Sequence, residues 1–319
     1  MREAKLEPSV IQLQRWDQRV RERRAVAAGY VAAQRNVGGD TEAKRHFYSA
    51  GISACEKGEQ WQRAISLLSE MLEAELEPNV ISYNAGISAC EKGKQWQRAL
   101  SLLSKMQEVE LEPSVISYSA GISACEKGEQ WQSALSLLSE MREAELEPNV
   151  ISYNSGISAC EKGGQWYSAV LLISEMWKTN LEPNAISYNA GISACQTRDH
   201  WQRAVSLFTE MCEAKLEPDV VSYSAGISAC EKGEQWQRAL LLLSDMKEAK
   251  LELDVTSCNA GISACEKGEQ WQHAFALLSE MCEAKLQPDS AIMLESARAR
   301  RAGSGSALWH CFVRCERRS

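Results

Sequence analysis

Cysteine and histidine are the side chains of this sequence that could serve as metal ligands or nucleophiles. The chain of 319 residues contains twelve Cys and four His. Seven of the cysteines recur every 35 residues: Cys55, Cys90, Cys125, Cys160, Cys195, Cys230 and Cys265. This spacing matches no zinc pattern, because zinc sites usually take two ligands from within a few residues. We therefore predict that these thiols are small apolar core residues, kept reduced in a reducing compartment.

The remaining polar residues form no catalytic constellation. His200 and His273 stand alone in the sequence and fit no triad or metal pattern, so we predict that they are surface residues. The sequence has no glycine-rich phosphate loop and no separate domain that could house a nuclease or a deaminase. It therefore predicts a protein that is not an enzyme and that needs no cofactor and no metal.

The same period of 35 residues is marked by a second series, which follows each cysteine by six residues: Trp61, Trp96, Trp131, Trp166, Trp201, Trp236 and Trp271. Seven such units run from Arg45 to Asp289 without an insertion. A fixed period of this length is typical of a solenoid, in which each unit contacts only its neighbours.

Each unit is predicted to form two helices. In the second unit, Tyr83, Ile87 and Cys90 share one face of the first helix. The apolar stripe of the second helix comprises Trp96, Ala99, Leu100, Leu103 and Met106. We expect Gly93 to end the first helix in the left-handed conformation. The return of Gly86 inside that helix in every unit suggests close packing on its backbone. Neither helix can bury its stripe alone, so the array is stable only when its units stack.

Charge is distributed unevenly along the chain. The formal net charge is −8. Residues 1–46 and 290–319 each carry +4, whereas residues 47–289 carry 19 Lys and Arg against 35 Asp and Glu, which is −16. Such a balance disfavours a partner that is bound by bulk electrostatics. No apolar run approaches the roughly 18 residues of a membrane span, so we predict no membrane association.

The flanks of the array are interpreted as damaged repeats. Residues 1–9 copy the end of a unit, so we expect a truncated repeat and a truncated N-terminus there. Residues Arg15–Glu22 can be encoded so that a shift of one base gives AGISACEK, the motif of the first helix. Residues Met293–Ala302 can be encoded to give the same motif. We therefore interpret 10–44 and 290–319 as degenerate, out-of-frame repeats.

The unit resembles the pentatricopeptide repeat of the P type, over residues 45–289. The resemblance rests on the period, on Ser82-Tyr83-Asn84, on Ile87-Ser88, on Ala99-Leu100 and on the Pro-Asn or Pro-Asp close of several units. The nearest rival, the tetratricopeptide repeat, has 34 residues and a W-x₂-L-G-x₂-Y pattern that is absent here. The resemblance implies an all-α fold, an α-solenoid of 35-residue helix-turn-helix repeats forming a right-handed superhelix.

The resemblance also implies single-stranded RNA binding at one base per unit. In that family, two side chains select the base: the residue after the Tyr and the last residue of the unit. The corresponding pairs here are Ser49/Asn79, Asn84/Ser114, Ser119/Asn149, Asn154/Asn184, Asn189/Asp219, Ser224/Asp254 and Asn259/Asp289. By the family's code, Ser with Asn favours A, Asn with Ser favours C, Asn with Asn favours C or U, Asn with Asp favours U, and Ser with Asp favours G. The implied target is 5′-A-C-A-(C/U)-U-G-U-3′.

Two further sets of residues follow from the resemblance. The second residue of each unit would sandwich the bases: Ile81, Ile116, Ile151, Ile186, Val221 and Thr256, with His46 as the exception. Lysines that close the first helix would reach phosphate: Lys57, Lys92, Lys127, Lys162, Lys232 and Lys267. Without the resemblance, the Ser, Asn and Asp residues have an ordinary capping role, and the lysines complement the helix dipole at a solvated helix end.

These observations predict a monomeric protein that binds single-stranded RNA and acts in organelle RNA processing, stability or translation, with RNA-processing proteins as partners. The family implies a mitochondrion or a plastid, although no targeting peptide is visible. Two alternatives stay open. The acidic array favours a scaffold for protein-protein interaction. Near-identical units and out-of-frame flanks fit a decaying copy without a function.

Overall fold

The protein is described by a computed structural model over residues 41–284 and 286, and this part of the chain contains fourteen helices and no strand. Repeats 1 to 7 denote the successive 35-residue units that begin at residues 45, 80, 115, 150, 185, 220 and 255. The first helices of the repeats are α1 (Thr41–Lys57), α3 (Val80–Lys92), α5 (Val115–Lys127), α7 (Val150–Lys162), α9 (Ala185–Ala194), α11 (Val220–Lys232) and α13 (Val255–Lys267). The second helices are α2 (Trp61–Glu73), α4 (Trp96–Glu108), α6 (Trp131–Glu143), α8 (Trp166–Lys178), α10 (Trp201–Glu213), α12 (Trp236–Glu248) and α14 (Trp271–Glu283).

The chain divides into two compact units, Met1–Ala159 and Cys160–Ser319. Within each unit, consecutive first helices pack side by side, and second helices such as Trp61–Glu73 and Trp236–Glu248 pack on the first helix of their own repeat and of the next repeat. This arrangement is an all-α solenoid of helical repeats, as the period predicts. None of the described helices combines the length and the apolar character that crossing a membrane requires.

The core of a repeat comes from both helices. Tyr83, Ile87 and Cys90 are buried on α3, which confirms the predicted face. On α4 the buried residues are Ala99, Leu102, Leu103 and Met106. Leu102 therefore belongs to the core and Leu100 is only half-buried, in contrast to the predicted stripe. The observed positions follow the i, i+3, i+4, i+7 spacing of one helix face.

The left-handed residue that ends the first helix comes one position later than predicted. Gly93 has φ −80°, so it does not take the left-handed conformation that the sequence analysis assigned to it. Lys94 takes that conformation instead, with φ 56°. The N–H of Gln95 then donates to the carbonyl of Cys90 at 2.8 Å, which satisfies an otherwise unpaired group of the last turn. Glu59, Glu129, Glu234 and Glu269 occupy the same conformation in other repeats.

Gly93 is required for a different reason, which is the tryptophan of the preceding repeat. A Cβ atom on Gly93 would lie 2.2 Å from Cδ1 of Trp61. The same contact recurs between Gly128 and Trp96, where the distance would be 2.3 Å. The indole of one repeat thus packs directly on the backbone at the end of the next first helix. The Trp series is half-buried in this junction, in agreement with its predicted packing role.

Gly86 has an equivalent role inside the first helix. A Cβ atom there would lie 2.5 Å from Cδ1 of Leu68, a residue on the second helix of the preceding repeat. The close approach predicted from its recurrence is therefore confirmed. Gly121 meets Leu103 in the same manner, at 2.6 Å. Two glycines in each of these repeats thus let the neighbouring repeat approach to van der Waals contact.

Repeat 5 departs from this pattern. Arg198 stands at the position that is Gly93 in repeat 2, and α9 ends at Ala194, three residues before the equivalent end of α3. Any side chain at this position would occupy the space of the packed indole. Trp166 lies instead against the ring of His200, with 4.1 Å between ring centroids and 30° between planes. The ring centroids of His273 and Trp236 are 5.6 Å apart. Both predicted surface histidines therefore lie against a tryptophan.

We predict that Gly128→Ala lowers the free energy of unfolding by about 2 kcal/mol, because the added methyl group overlaps Trp96. Chemical denaturation measures the change. The matched control is Gly58→Ala in repeat 1, where the nearest described atom to the new Cβ is the Ala54 carbonyl oxygen at 3.4 Å. Equal stability of the two variants would refute the packing role of the glycine.

Candidate nucleic-acid interface

The last residue of each repeat caps the next first helix. Asn79 precedes α3 with extended backbone angles, and its Oδ1 accepts a hydrogen bond from the N–H of Ser82 at 3.0 Å. Ser114 and Asp219 cap α5 and α11 in the same manner. Such caps satisfy free N–H groups of the first turn. The cap fixes a side chain that would otherwise lie in a mobile loop, so one half of each predicted base-selecting pair has a defined position.

The other half of each pair lies one turn inside the preceding first helix, and a serine of the next repeat joins the two. Ser82 Oγ donates to Asn79 Oδ1 at 2.9 Å and lies 2.7 Å from Ser49 Oγ. Ser117 Oγ donates to Asn84 Oδ1 at 2.6 Å. It also lies 3.1 Å from Ser114 Oγ. Residues 30 positions apart in sequence are thereby held side by side.

The same bridge is present in two further junctions. Ser152 Oγ lies 2.7 Å from Ser119 Oγ and donates to Asn149 Oδ1 at 3.0 Å. Ser222 Oγ lies 2.6 Å from Asn189 Oδ1 and 2.9 Å from Asp219 Oδ1. We refer to the four residues that make these contacts as the bridging serines: Ser82, Ser117, Ser152 and Ser222. All four are fully buried. They were not among the predicted site residues, although a serine recurs at the third position of each unit from repeat 2 onward.

Two pairs also bond directly. Asn189 Nδ2 donates to Asp219 Oδ1 at 3.2 Å, and Ser224 Oγ donates to Asp254 Oδ1 at 3.0 Å. Burial opposes ionisation of Asp219, but the hydrogen bonds from Ser222 and Asn189 outweigh it and lower the pKa of the carboxyl below its ordinary value. Asp219 therefore remains an anion, which accepts hydrogen bonds and does not donate them.

Four predicted residues remain outside these paired junctions. Asn154 and Asn184 belong to different compact units. Asn184 caps α9, with its Oδ1 accepting from the N–H of Ser187 at 3.1 Å. Asp289 lies outside the described residues. Its predicted partner, Asn259, has both side-chain polar atoms buried and without a hydrogen bond in the part of the chain that the structure describes.

The residues predicted to sandwich bases are exposed apolar side chains. Their exposed fractions run from 56% for Val221 to 65% for Ile116, and Thr256 and His46 are exposed as well. Large aliphatic side chains are usually buried, so their exposure at the same position of successive repeats is unusual. They offer flat apolar contacts beside the paired polar groups, as a stacked base would require.

At least three of the six lysines predicted to reach phosphate pair with a glutamate of the preceding repeat. Lys92 Nζ lies 3.0 Å from Glu56 Oε1 and Lys127 Nζ lies 2.7 Å from Glu91 Oε1. Lys267 makes the same contact with Glu231 at 2.6 Å. These contacts form an ion-pair ladder along the array. Lysines that were predicted to reach phosphate therefore tie adjacent repeats together in this structure.

Lys232 is the exception in the ladder. The preceding repeat offers it Gln196 in place of a glutamate, and Lys232 Nζ has only the adjacent Glu231 at 3.8 Å. Its side chain is 52% exposed, against 34% for Lys127 in the ladder. Repeat 5 thus leaves one described lysine of this series without its usual counter-ion.

The negative charge of the array lies away from the first helices. The helices α3, α5, α7, α11 and α13 each carry one Glu and one Lys, and α9 carries no charged residue. The thirteen loops between α1 and α14 together carry a net charge of −12. The first helices are therefore close to neutral. This local charge matters more than the total charge at a binding surface.

The periodic cysteines have the environment predicted for core residues. Burial raises the pKa of the Cys90 thiol to about 11 and that of Cys125 to about 12. Thiols with such pKa values stay neutral near pH 7 and are poor nucleophiles and ligands. The residues that the structure describes contain no group of three or more His, Cys, Asp or Glu that could hold a metal ion.

We predict that Gln196→Glu adds a salt-sensitive stabilisation of about 0.5 kcal/mol, because it supplies the glutamate that Lys232 lacks in the preceding repeat. It also removes the hydrogen bond from Gln196 Nε2 to the Ala225 carbonyl, a loss that does not depend on salt. Thermal unfolding in low salt and in 1 M salt measures the stabilisation, which screening should abolish. The control is the double variant Gln196→Glu with Lys232→Gln, which should show no gain. A gain that persists in this double variant would contradict the assignment.

Profiles of one family match nearly all repeats. The pentatricopeptide repeat domain matches residues 66–129, and the PPR repeat family matches 113–162, 148–197 and 184–232. The PPR repeat matches 48–76, 221–251 and 256–286. No curated protein matches the chain.

Solved structures share the fold. The pentatricopeptide repeat protein PPR10 from maize is 21% identical, with a TM-score of 0.56 over 77% of this chain and 35% of that protein. PPR10 in complex with an 18-nt psaJ RNA element is 19% identical, with a TM-score of 0.53 over 90% and 47% of the two chains.

A third structure is the PPR domain of Arabidopsis thaliana protein-only RNase P 1 in complex with tRNA. It is 14% identical, with a TM-score of 0.51 over 56% of this chain and 95% of that domain. The present chain thus spans between a third and a half of the length of the maize protein. The profiles, the period and the paired helices together place this chain in the pentatricopeptide repeat family.

Proposed function

We propose that this protein binds single-stranded RNA with one base at each repeat junction. The observation that carries the proposal is the recurring junction itself. At each bridged junction two short polar side chains are fixed by a buried serine, as in the hydrogen bonds of Ser222 to Asn189 and Asp219. An exposed aliphatic side chain follows two residues after the cap, as Val221 does after Asp219. Polar groups in a fixed position, beside an apolar surface, are what reading and stacking a base require.

The depth of the junction supports the division between purines and pyrimidines. Ser49, Ser119 and Ser224 are buried at the predicted A and G positions, with exposed fractions of 7% to 9%. Asn84 and Asn189 are larger and half-buried at the predicted C and U positions. A short, recessed serine leaves room for a purine, whereas the longer asparagine side chain fills that space and suits a pyrimidine. The target 5′-A-C-A-(C/U)-U-G-U-3′ is proposed on this basis and on the family's code.

The neutral first-helix face supports binding despite the net charge of −16 for residues 47–289. The acidic excess lies in the loops and second helices and not in the first helices, along which we propose that the strand runs. Asp219 and Asp254 are loop anions that belong to base-selecting pairs. We propose that the protein has no catalysis of its own and that it acts in a mitochondrion or a plastid. There it would protect or present a transcript and recruit RNA-processing proteins.

We predict that a change of the fifth pair changes the preferred base. The wild-type chain should bind 5′-ACAUUGU-3′ about tenfold more tightly than 5′-ACAUAGU-3′, since a good base contact contributes about 1–3 kcal/mol of discrimination. The double variant Asn189→Ser, Asp219→Asn should reverse this order. Gel-shift titrations measure both affinities.

The matched control for this experiment is Gln97→Ser, an exposed substitution on α4, which should leave the preference unchanged. A double variant that keeps the preference for U would refute the assignment of the pair. Absence of binding to both RNAs, combined with binding of peptides, would favour the scaffold and overturn the proposal.

We predict that the salt dependence of RNA binding depends on Lys232. Each phosphate contact to a single strand contributes about 0.7 to the slope of log K against log salt. Lys232→Gln should lower the slope by about this amount, because the Lys232 ammonium group has no glutamate of the preceding repeat and only the adjacent Glu231 at 3.8 Å. Lys127→Gln should change it little, because Glu91 already holds that group. Equal changes in the two variants, measured by titration between 50 and 200 mM salt, would contradict a special role for Lys232.

A further inference from the structure

The bridging serines cannot contact a ligand themselves. Ser82, Ser117, Ser152 and Ser222 are fully buried, yet each makes hydrogen bonds to both members of a predicted base-selecting pair. Their position between the two reading side chains gives them influence over what those side chains present to a base. They belong to the repeat that follows the pair, so each junction is completed by two repeats.

The junction of Asn84 and Ser114 shows how this influence works. The hydroxyl of Ser117 has one proton, and that proton is donated to Asn84 Oδ1 at 2.6 Å. Ser117 Oγ in turn accepts from the backbone N–H of Ser114 at 3.0 Å. Its remaining lone pair faces the Ser114 hydroxyl at 3.1 Å. The carbonyl oxygen of the Asn84 amide is therefore held inward, and its NH₂ group, which bonds no described residue, is left to donate to a base.

The junction of Asn189 and Asp219 has the same polarity. Asn189 Oδ1 faces the Ser222 hydroxyl at 2.6 Å, and Asn189 Nδ2 donates one of its two hydrogens to Asp219 at 3.2 Å. The second hydrogen of that NH₂ group is left to donate to a base. Rotation of the amide by 180° would exchange a donor for an acceptor, and a base edge discriminates between the two. The single proton of the Ser222 hydroxyl points to Asn189 Oδ1, the shorter of its two acceptor contacts at 2.6 Å against 2.9 Å for Asp219 Oδ1. A rotated amide would lose this proton and would place its oxygen against the Asp219 carboxylate, which cannot donate.

We propose that the bridging serines are positioning residues that fix the donor and acceptor polarity of the base-selecting pairs. This inference rests on the proposed function, because polarity matters only if a base is read at the junction. It extends the set of specificity residues from two to three for each base, with the third supplied by the following repeat. Ser222 acts on the fifth base and Ser117 acts on the second base.

The test compares Ser222→Ala with Ser117→Ala in the full chain. For each variant, affinities are measured for 5′-ACAUUGU-3′ and for RNAs with every alternative base at the second or the fifth position. Ser222→Ala should reduce the preference for U at the fifth position at least about fivefold, as the loss of one hydrogen bond permits. It should leave the preference for C at the second position intact. Ser117→Ala should give the converse result.

A merely structural role predicts a different result, in which affinity for all seven-base RNAs falls together and each preference is retained. That result, or an unchanged preference at the fifth position, would overturn the inference while the proposed function stands. A wild-type chain without base preference at any position would overturn both. Ser222→Cys retains the size of the side chain with a weaker donor, so it gives the same readout if Ser222→Ala does not fold. It should show an intermediate loss at the fifth position, and full retention there would overturn the inference.

Discussion

The packing of an indole on a bare backbone is the constraint on which this array depends. Trp61 lies where any side chain at position 93 would stand, and the same contact recurs between Trp96 and Gly128. It sets how closely one repeat approaches the next. The spacing of 35 residues then places a helix cap, a polar side chain of the preceding first helix and a bridging serine at the same point of each bridged junction. Where Arg198 replaces the glycine, the first helix is shorter and the indole stacks on His200 instead.

The polar chemistry of the junction depends on this fixed approach. Hydrogen bonds of 2.6–3.1 Å between Ser117, Asn84 and Ser114 tolerate little displacement of one repeat against the next. The ion pairs at the other end of the first helices add a second tie between the same repeats. An RNA base bound at such a junction, as proposed, would meet polar groups that are already oriented, so the ordering cost would fall mainly on the RNA.

Much of this could be predicted from the sequence because the signals are periodic. The apolar spacing of Tyr83, Ile87 and Cys90 gives the buried face directly, and their burial agrees with it. Contacts between repeats could not be predicted in the same way. Gly93 resembles a helix stop, and only the position of Trp61 shows why it must be glycine. Lys127 resembles a phosphate ligand, but its nearest anion is Glu91, which is distant in sequence. The bridging serines look like ordinary helix residues until two repeats are seen together.

If each base lies over one defined junction, a photo-crosslink should locate it there. A 4-thiouridine placed at the fifth position of 5′-ACAUUGU-3′ is crosslinked to the full chain, and the attached peptide is mapped by mass spectrometry. We expect attachment around Asn189 and Val221, and attachment two repeats further along the chain when the label is moved to the seventh position. Crosslinks that do not move with the label, or that fall on the second helices, would contradict this prediction.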